Sequence, residues 1–110
     1  MDKEIPEESR NFLKNMLYAA EEFNYGEEIP EGLLQELYGK LNDWISRYLL
    51  SSLPENKLID YKNLNQNGAS PDMLDAFSMK NIPNYAEVVK KAYRDYYDSY
   101  LEQVKEERQG

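Results

Sequence analysis

Neither cysteine nor histidine occurs in the chain. Without cysteine there can be no disulfide, no thiolate metal ligand and no cysteine nucleophile. Without histidine the chain lacks the commonest general base and metal ligand, and the one side chain that titrates unperturbed near neutrality. A glycine-rich phosphate loop, a G-x-S-x-G elbow and a dinucleotide fingerprint are also missing. Glycine and proline, five of each, are too few for long irregular loops. No apolar run approaches the roughly 20 residues that cross a bilayer. The opening MDKEIPEESR is acidic and polar, unlike a signal peptide. The expectation is a cytoplasmic protein with no membrane partner.

Positive charge is also scarce: 13 basic residues face 21 acidic ones, for a net charge of −8. That balance argues against nucleic acid as a direct partner. The deficit is uneven. Residues 1–55 carry 12 acids and 5 bases (−7), and residues 56–110 carry 9 and 8 (−1). The excess lies at 2–8, at Glu21 and Glu22, and at Glu27, Glu28 and Glu31. Such acids form either a solvated, solubilising surface or a face that meets a basic partner. A length of 110 residues is that of one domain, 1–110, able to bury roughly 65% of its unfolded surface.

The prolines punctuate the chain, in Ile5-Pro6-Glu7, Ile29-Pro30-Glu31, Leu53-Pro54-Glu55, Ser70-Pro71-Asp72 and Ile82-Pro83-Asn84. Each precedes a stretch of helical periodicity, which suits proline at the first helical position. The acid after four of them favours the positive end of a helix dipole. The apolar residue before four of them is placed to pack back onto the helix. Five helices follow. The first spans about 7–23 and turns Phe12, Leu13, Met16, Ala20 and Phe23 inward. The second, about 30–51, carries the clearest stripe, from Leu34 and Leu37 to Tyr48 and Leu49. The third starts at Pro54 and stops at Asn65-Gln66-Asn67-Gly68, where Gly68 suits a left-handed cap. A short fourth is capped by Ser70, with Met73, Leu74 and Phe77 inward. The fifth spans about 84–107. Fraying is expected at 1–6 and 108–110.

Ten tyrosines are the main compositional excess, four of them in AYRDYYDSYL at 92–101. At about 100° per residue, Tyr93, Tyr96, Tyr97 and Tyr100 fall within an arc of about 100°. They read as the apolar face of the fifth helix, opposite Lys91, Asp95, Asp98 and Glu102. Its flank, Tyr97 with Leu101, is the part that could stay open as a contact patch or a self-association surface.

Asn63-x-Asn65-x-Asn67-Gly68 imitates the start of a calcium loop, but its three side chains are neutral and its twelfth position is Leu74, so it reads as a helix-ending turn. The adjacent acid pairs fall on polar faces or in loops, where both members would titrate normally, so they suggest neither acid–base catalysis nor a metal site. No catalytic residue, metal or cofactor is therefore expected. Gly39 interrupts the second helix on its polar side. Tyr18, Leu50 and Ile59 lie off their stripes, and Tyr18 stands beside Glu21 and Glu22, a setting that suits a basic or amphipathic ligand.

Leu53-Pro54-Glu55-Asn56-Lys57-Leu58, then Phe77, Asn81-Ile82-Pro83-Asn84, Val88 and Tyr100-Leu101, resembles a small all-helical bacterial family of unknown function, known mainly from candidate-phylum genomes, over roughly residues 30–101. The resemblance implies a short, acidic, all-helical protein and brings no catalytic residues with it.

The expectation is an all-α bundle of about five helices, two long and three shorter. Its expected role is a non-enzymatic protein–protein interaction module or adaptor. Its partner-binding candidates are Tyr18, Glu21, Glu22, Glu27, Glu28, Glu31, Tyr97 and Leu101, and its partner is another protein with a basic surface. A monomer is favoured over an oligomer. Two other readings stay open. One is an acidic inhibitor or nucleic-acid mimic seated in a basic groove. The other is a small-molecule binder with a pocket lined by Trp44, Tyr48, Tyr93 and Tyr96.

Overall fold

The computed structural model describes residues 4–109. The fold is all-α, with helices α1 (Glu7–Ala19), α2 (Glu31–Ser52), α3 (Glu55–Gln66), α4 (Pro71–Asn81) and α5 (Tyr85–Gln109), and with no strand among the described residues. The two long helices are α2 and α5, as their periodicity predicts.

Pro6, Pro30 and Pro54 stand just before their helices and not at the expected first helical position. Pro6 and Pro54 are not inside α1 and α3 but cap them, with φ/ψ of −55°/146° and −56°/147°. The cap position needs an extended ψ at a φ that the pyrrolidine ring already imposes, and the missing N–H costs nothing there. Each proline carbonyl accepts the first helical bond. Pro6 takes the Arg10 N–H at 2.9 Å, Pro30 the Leu34 N–H at 3.3 Å and Pro54 the Leu58 N–H at 2.9 Å. Only α4 has proline at its first position, behind Ser70, whose Oγ accepts from the Met73 N–H at 3.3 Å.

Proline also holds its predecessor extended. All four apolar predecessors, Ile5, Ile29, Leu53 and Ile82, are buried. Ile5 is thus anchored where fraying was expected, and α5 continues through Arg108 to Gln109. The expected fraying of Met1–Lys3 and Gly110, like the charge of Asp2, concerns residues outside those described.

The chain divides into two compact units. One takes the chain up to Trp44 and from Tyr93 onward, and the other is Ile45–Ala92, so α2 and α5 each contribute to both. In the first unit, Leu13, Met16, Leu17 and Leu41 are completely buried, with Leu34, Leu37, Tyr96 and Val104 nearly so. Complete burial of one such aliphatic side chain contributes roughly 1.5–3 kcal/mol. In the second unit only Leu49, Leu53 and Ile82 form a buried cluster, ringed by half-buried side chains that include Ile45, Leu50, Leu58, Tyr61, Phe77 and Val88. The Tyr61 and Phe77 rings meet at 6.2 Å and join α3 to α4.

Two sequence expectations need correction in this second unit. Leu50 is not a stray, because it packs against the Leu49–Leu53–Ile82 cluster. Met73 does not turn inward, being 56% exposed, because it stands in the first turn of α4, away from the cluster that Phe77 reaches. Ile59 is exposed, in keeping with its place off the stripe.

Candidate functional site

Helix α1 ends four residues short of the expected Phe23, in a turn that assembles the most exposed aromatic of the chain. Glu21 adopts a left-handed φ of 59°. Its N–H bonds to the Tyr18 carbonyl at 3.0 Å, and the Glu22 N–H bonds to the Leu17 carbonyl at 3.2 Å. This pair of bonds is the Schellman closure, which usually places glycine at the left-handed position. The reversal brings Tyr25 back alongside Tyr18. The two rings stack with centroids 4.8 Å apart and planes inclined by 27°. Tyr18 is half-buried and Tyr25 is 88% exposed, so the stack presents one ring almost wholly to solvent. Gly26 follows in a left-handed φ of 84°. The Glu27 carboxylate folds back to accept the Asn24 N–H at 3.0 Å, pinning the loop.

The acids flanking this stack are mostly engaged within the chain. Glu31 forms a two-pronged pair with Arg10, at 2.7 and 2.9 Å, and accepts from Gln35 at 3.2 Å. Hydrogen bonds from Arg10 and then Gln35 pull its carboxyl down to about 2. Glu21 lies 3.7 Å from the Arg108 guanidinium. Glu22 accepts a hydrogen bond from the Tyr100 hydroxyl. Burial, and then that carboxylate, push the Tyr100 phenol well above its ordinary range. Glu27 and Glu28 are exposed on the loop before Ile29.

The Tyr97–Leu101 flank is partly covered, and Leu101 lines a surface groove with Ala20, Val104 and Arg108. Tyr97 and Leu101 are both half-buried, and the Tyr97 ring lies 6.0 Å from Phe12. Tyr93 meets the same Phe12 edge-on at 5.0 Å. Phe12 of α1 thus covers the tyrosine side of that flank.

A cleft of about 260 Å³ opens between the first part of α2 and the last part of α5. Leu37 and Val104 line it with the rings of Trp44, Tyr96 and Tyr100, and Glu22, Lys40, Ser99, Gln103 and Glu107 supply its polar side chains. Trp44 meets Tyr96 edge-on, with centroids 5.7 Å apart and planes at 70°. Of the four residues expected to line a pocket, Trp44 and Tyr96 line this cleft, and Tyr48 and Tyr93 do not, Tyr93 meeting Phe12 instead. Among the described residues no cluster of three or more acids is disposed to hold a metal ion.

Sequence reasoning singled out Tyr18, Glu21 and Glu22 and missed Tyr25. A signal was available. Tyr25 stands between two helices, beside Gly26, and so belongs to no helical face that could bury it. Periodicity places Tyr100 on the apolar face, but its partner Glu22, 78 positions away, is not legible from spacing. No protein-family model, no curated protein and no solved structure matches the chain.

Proposed function

We propose that the protein is a non-enzymatic interaction module that docks another protein through the Tyr18–Tyr25 stack. The observation that carries this reading is the exposure of Tyr25 on a ring already stacked and held by a hydrogen-bonded turn. A large aromatic surface that is ordered before binding loses little entropy when a partner covers it, which is how tyrosine anchors protein interfaces. Glu27 and Glu28 stand beside it, so the partner surface that fits best offers a basic side chain to the ring face and the acids. Loop residues on a rigid scaffold are also where binding functions concentrate.

The alternative of a nucleic-acid mimic draws less support. Such a mimic needs free carboxylates, whereas Glu31 and Glu21 are paired with Arg10 and Arg108 of the same chain. The test is a photo-crosslinking amino acid placed at position 25 and, as a control, at position 59, another exposed apolar side chain. A partner captured from 25 but not from 59, and lost from the pull-down when Tyr18→Ala is added, supports the reading. Equal capture from both positions overturns it. A partner that survives Tyr18→Ala but dissociates in high salt would return the acids to first place.

A further inference from the structure

We propose that the α2–α5 cleft binds a small organic ammonium ion, with the ammonium held by Glu22 and Glu107 and the apolar body laid against Trp44 and Tyr96. The cleft is small, about 260 Å³, which suits a metabolite-sized ligand and not a peptide. Three aromatic rings and two aliphatic side chains give it an apolar lining with π-surface, the surface that attracts a cation over a neutral isostere.

The polar groups set the sign of the ligand. Glu22 and Glu107 are the carboxylates of the cleft, and Lys40 is its one cation. Lys40 also lies 3.5 Å from Glu36, one turn earlier on the exposed side of α2, so the one positive charge is shared with a carboxylate outside the cleft. Each carboxylate has spare acceptor capacity. Glu22 receives the Tyr100 hydroxyl and Glu107 a weak bond from Gln103 at 3.5 Å, and a carboxylate accepts at about four sites. Burial raises the Tyr100 phenol first, and the nearby carboxylates of Glu22 and Glu107 push it the same way. An anionic ligand would meet two like charges against one shared positive one.

Trp44 is the only tryptophan of the chain, so its emission reports on this cleft alone. Three probes of one shape separate charge from apolar contact: phenethylammonium, 2-phenylethanol and 3-phenylpropanoate. The expected result is a saturable change in Trp44 emission with the ammonium, binding about tenfold weaker with the alcohol, and none with the carboxylate. Amide NMR shifts should localise to Trp44, Tyr96 and Tyr100. Glu22→Gln and, separately, Glu107→Gln weaken ammonium binding several-fold and leave the alcohol unchanged. Both side chains lie at the exposed edge, so at least one variant retains the fold. Equal affinity for ammonium and alcohol, indifference to both Gln variants, or no saturable response would each overturn the proposal.

Discussion

In the unit that combines the two ends of the chain, Leu13, Met16 and Leu17 of α1 and Leu41 of α2 have no exposed surface, whereas in Ile45–Ala92 no residue of α3 is buried and Ser78 alone is buried in α4. The difference lies in the sequence of the helices. Helix α1 concentrates its apolar residues on one face. Helix α3 has only Leu58, Tyr61 and Leu64 along its stripe and leaves Ile59 off it, so the face it can bury is narrow and only half-covered. Equal helix content therefore does not mean equal stability. Burial, not helicity, supplies most of the free energy that holds a helix in place.

The largest test of that contrast is truncation. Leu17→Ala should cost about 3 kcal/mol, the lost transfer energy plus a cavity that its packed neighbours cannot close. Leu58→Ala, at a half-buried position, should cost about 1 kcal/mol. Urea unfolding of the two variants measures both. Similar losses would break the comparison. Native-state hydrogen exchange sharpens it further: amides of α3 and α4 should exchange through openings below the global unfolding free energy, while those of Leu13–Leu17 require global unfolding.

A second contrast sits at the helix ends. α3 closes with the same two hydrogen bonds as α1: Gly68 N–H to the Asn65 carbonyl at 3.2 Å and Ala69 N–H to the Leu64 carbonyl at 3.0 Å. Here the left-handed position holds glycine, at φ 83°, where α1 has glutamate at 59°. The backbone cost of an L-residue in that conformation is about 1 kcal/mol. Gly68→Ala should destabilise by about that amount although an added Cβ meets nothing within 4 Å. Glu21→Gly should stabilise by somewhat less, because it also forfeits the exposed contact with Arg108. If Glu21→Gly destabilised instead, the side chain of Glu21 would matter more than its backbone. Left-handed non-glycine residues cluster at functional positions, and this one shapes the turn that presents Tyr25.

How far these contrasts are legible in the sequence depends on what each residue needs. The stripes of α2 and α5 predict their buried faces because a long amphipathic helix has only one way to hide them. Leu17 falls in the arc of Leu13 and Met16 and is as deeply buried, yet it is easily passed over beside the larger Phe12. Periodicity names a face but not whether another element covers it, so Met73 stays out and Leu50 goes in. The turn at Gly68 is readable because glycine marks it. The equivalent turn at Glu21 carries no such mark, and with it went Tyr25, the residue on which the proposed site depends.

Gly39 offers a smaller test within α2. It lies in the helix interior, is exposed, and an added Cβ would meet nothing within 4 Å. Gly39→Ala should therefore stabilise by just under about 1 kcal/mol, through backbone entropy alone. A loss of stability would mean that the Cβ at this position is not accommodated as freely as the open space around Gly39 predicts.

The smallest effect separates the two units by sign. Glu31 is pulled down to about 2 by hydrogen bonds from Arg10 and Gln35, so its contribution is complete above the ordinary carboxyl value near 4.5 and is lost as pH falls from there towards 2. Asp75, in the other unit, is raised, first by burial and then by the charge of Asp72. Its charged form is disfavoured in the fold, so stability from this group increases as pH falls through its raised midpoint towards the ordinary value near 3.8. Mild acid should thus relieve Ile45–Ala92 just as it begins to strip the Arg10–Glu31 pair. Both groups are exposed enough for solvent to screen them, so the shift in overall stability is small and carboxyl NMR titration is the sharper measurement. It should place Glu31 well below and Asp75 above their ordinary midpoints, and Arg10→Gln should return Glu31 most of the way. Midpoints that coincide would mean that the pair formed by Arg10 and Glu31 is no stronger in solution than any other contact on the surface.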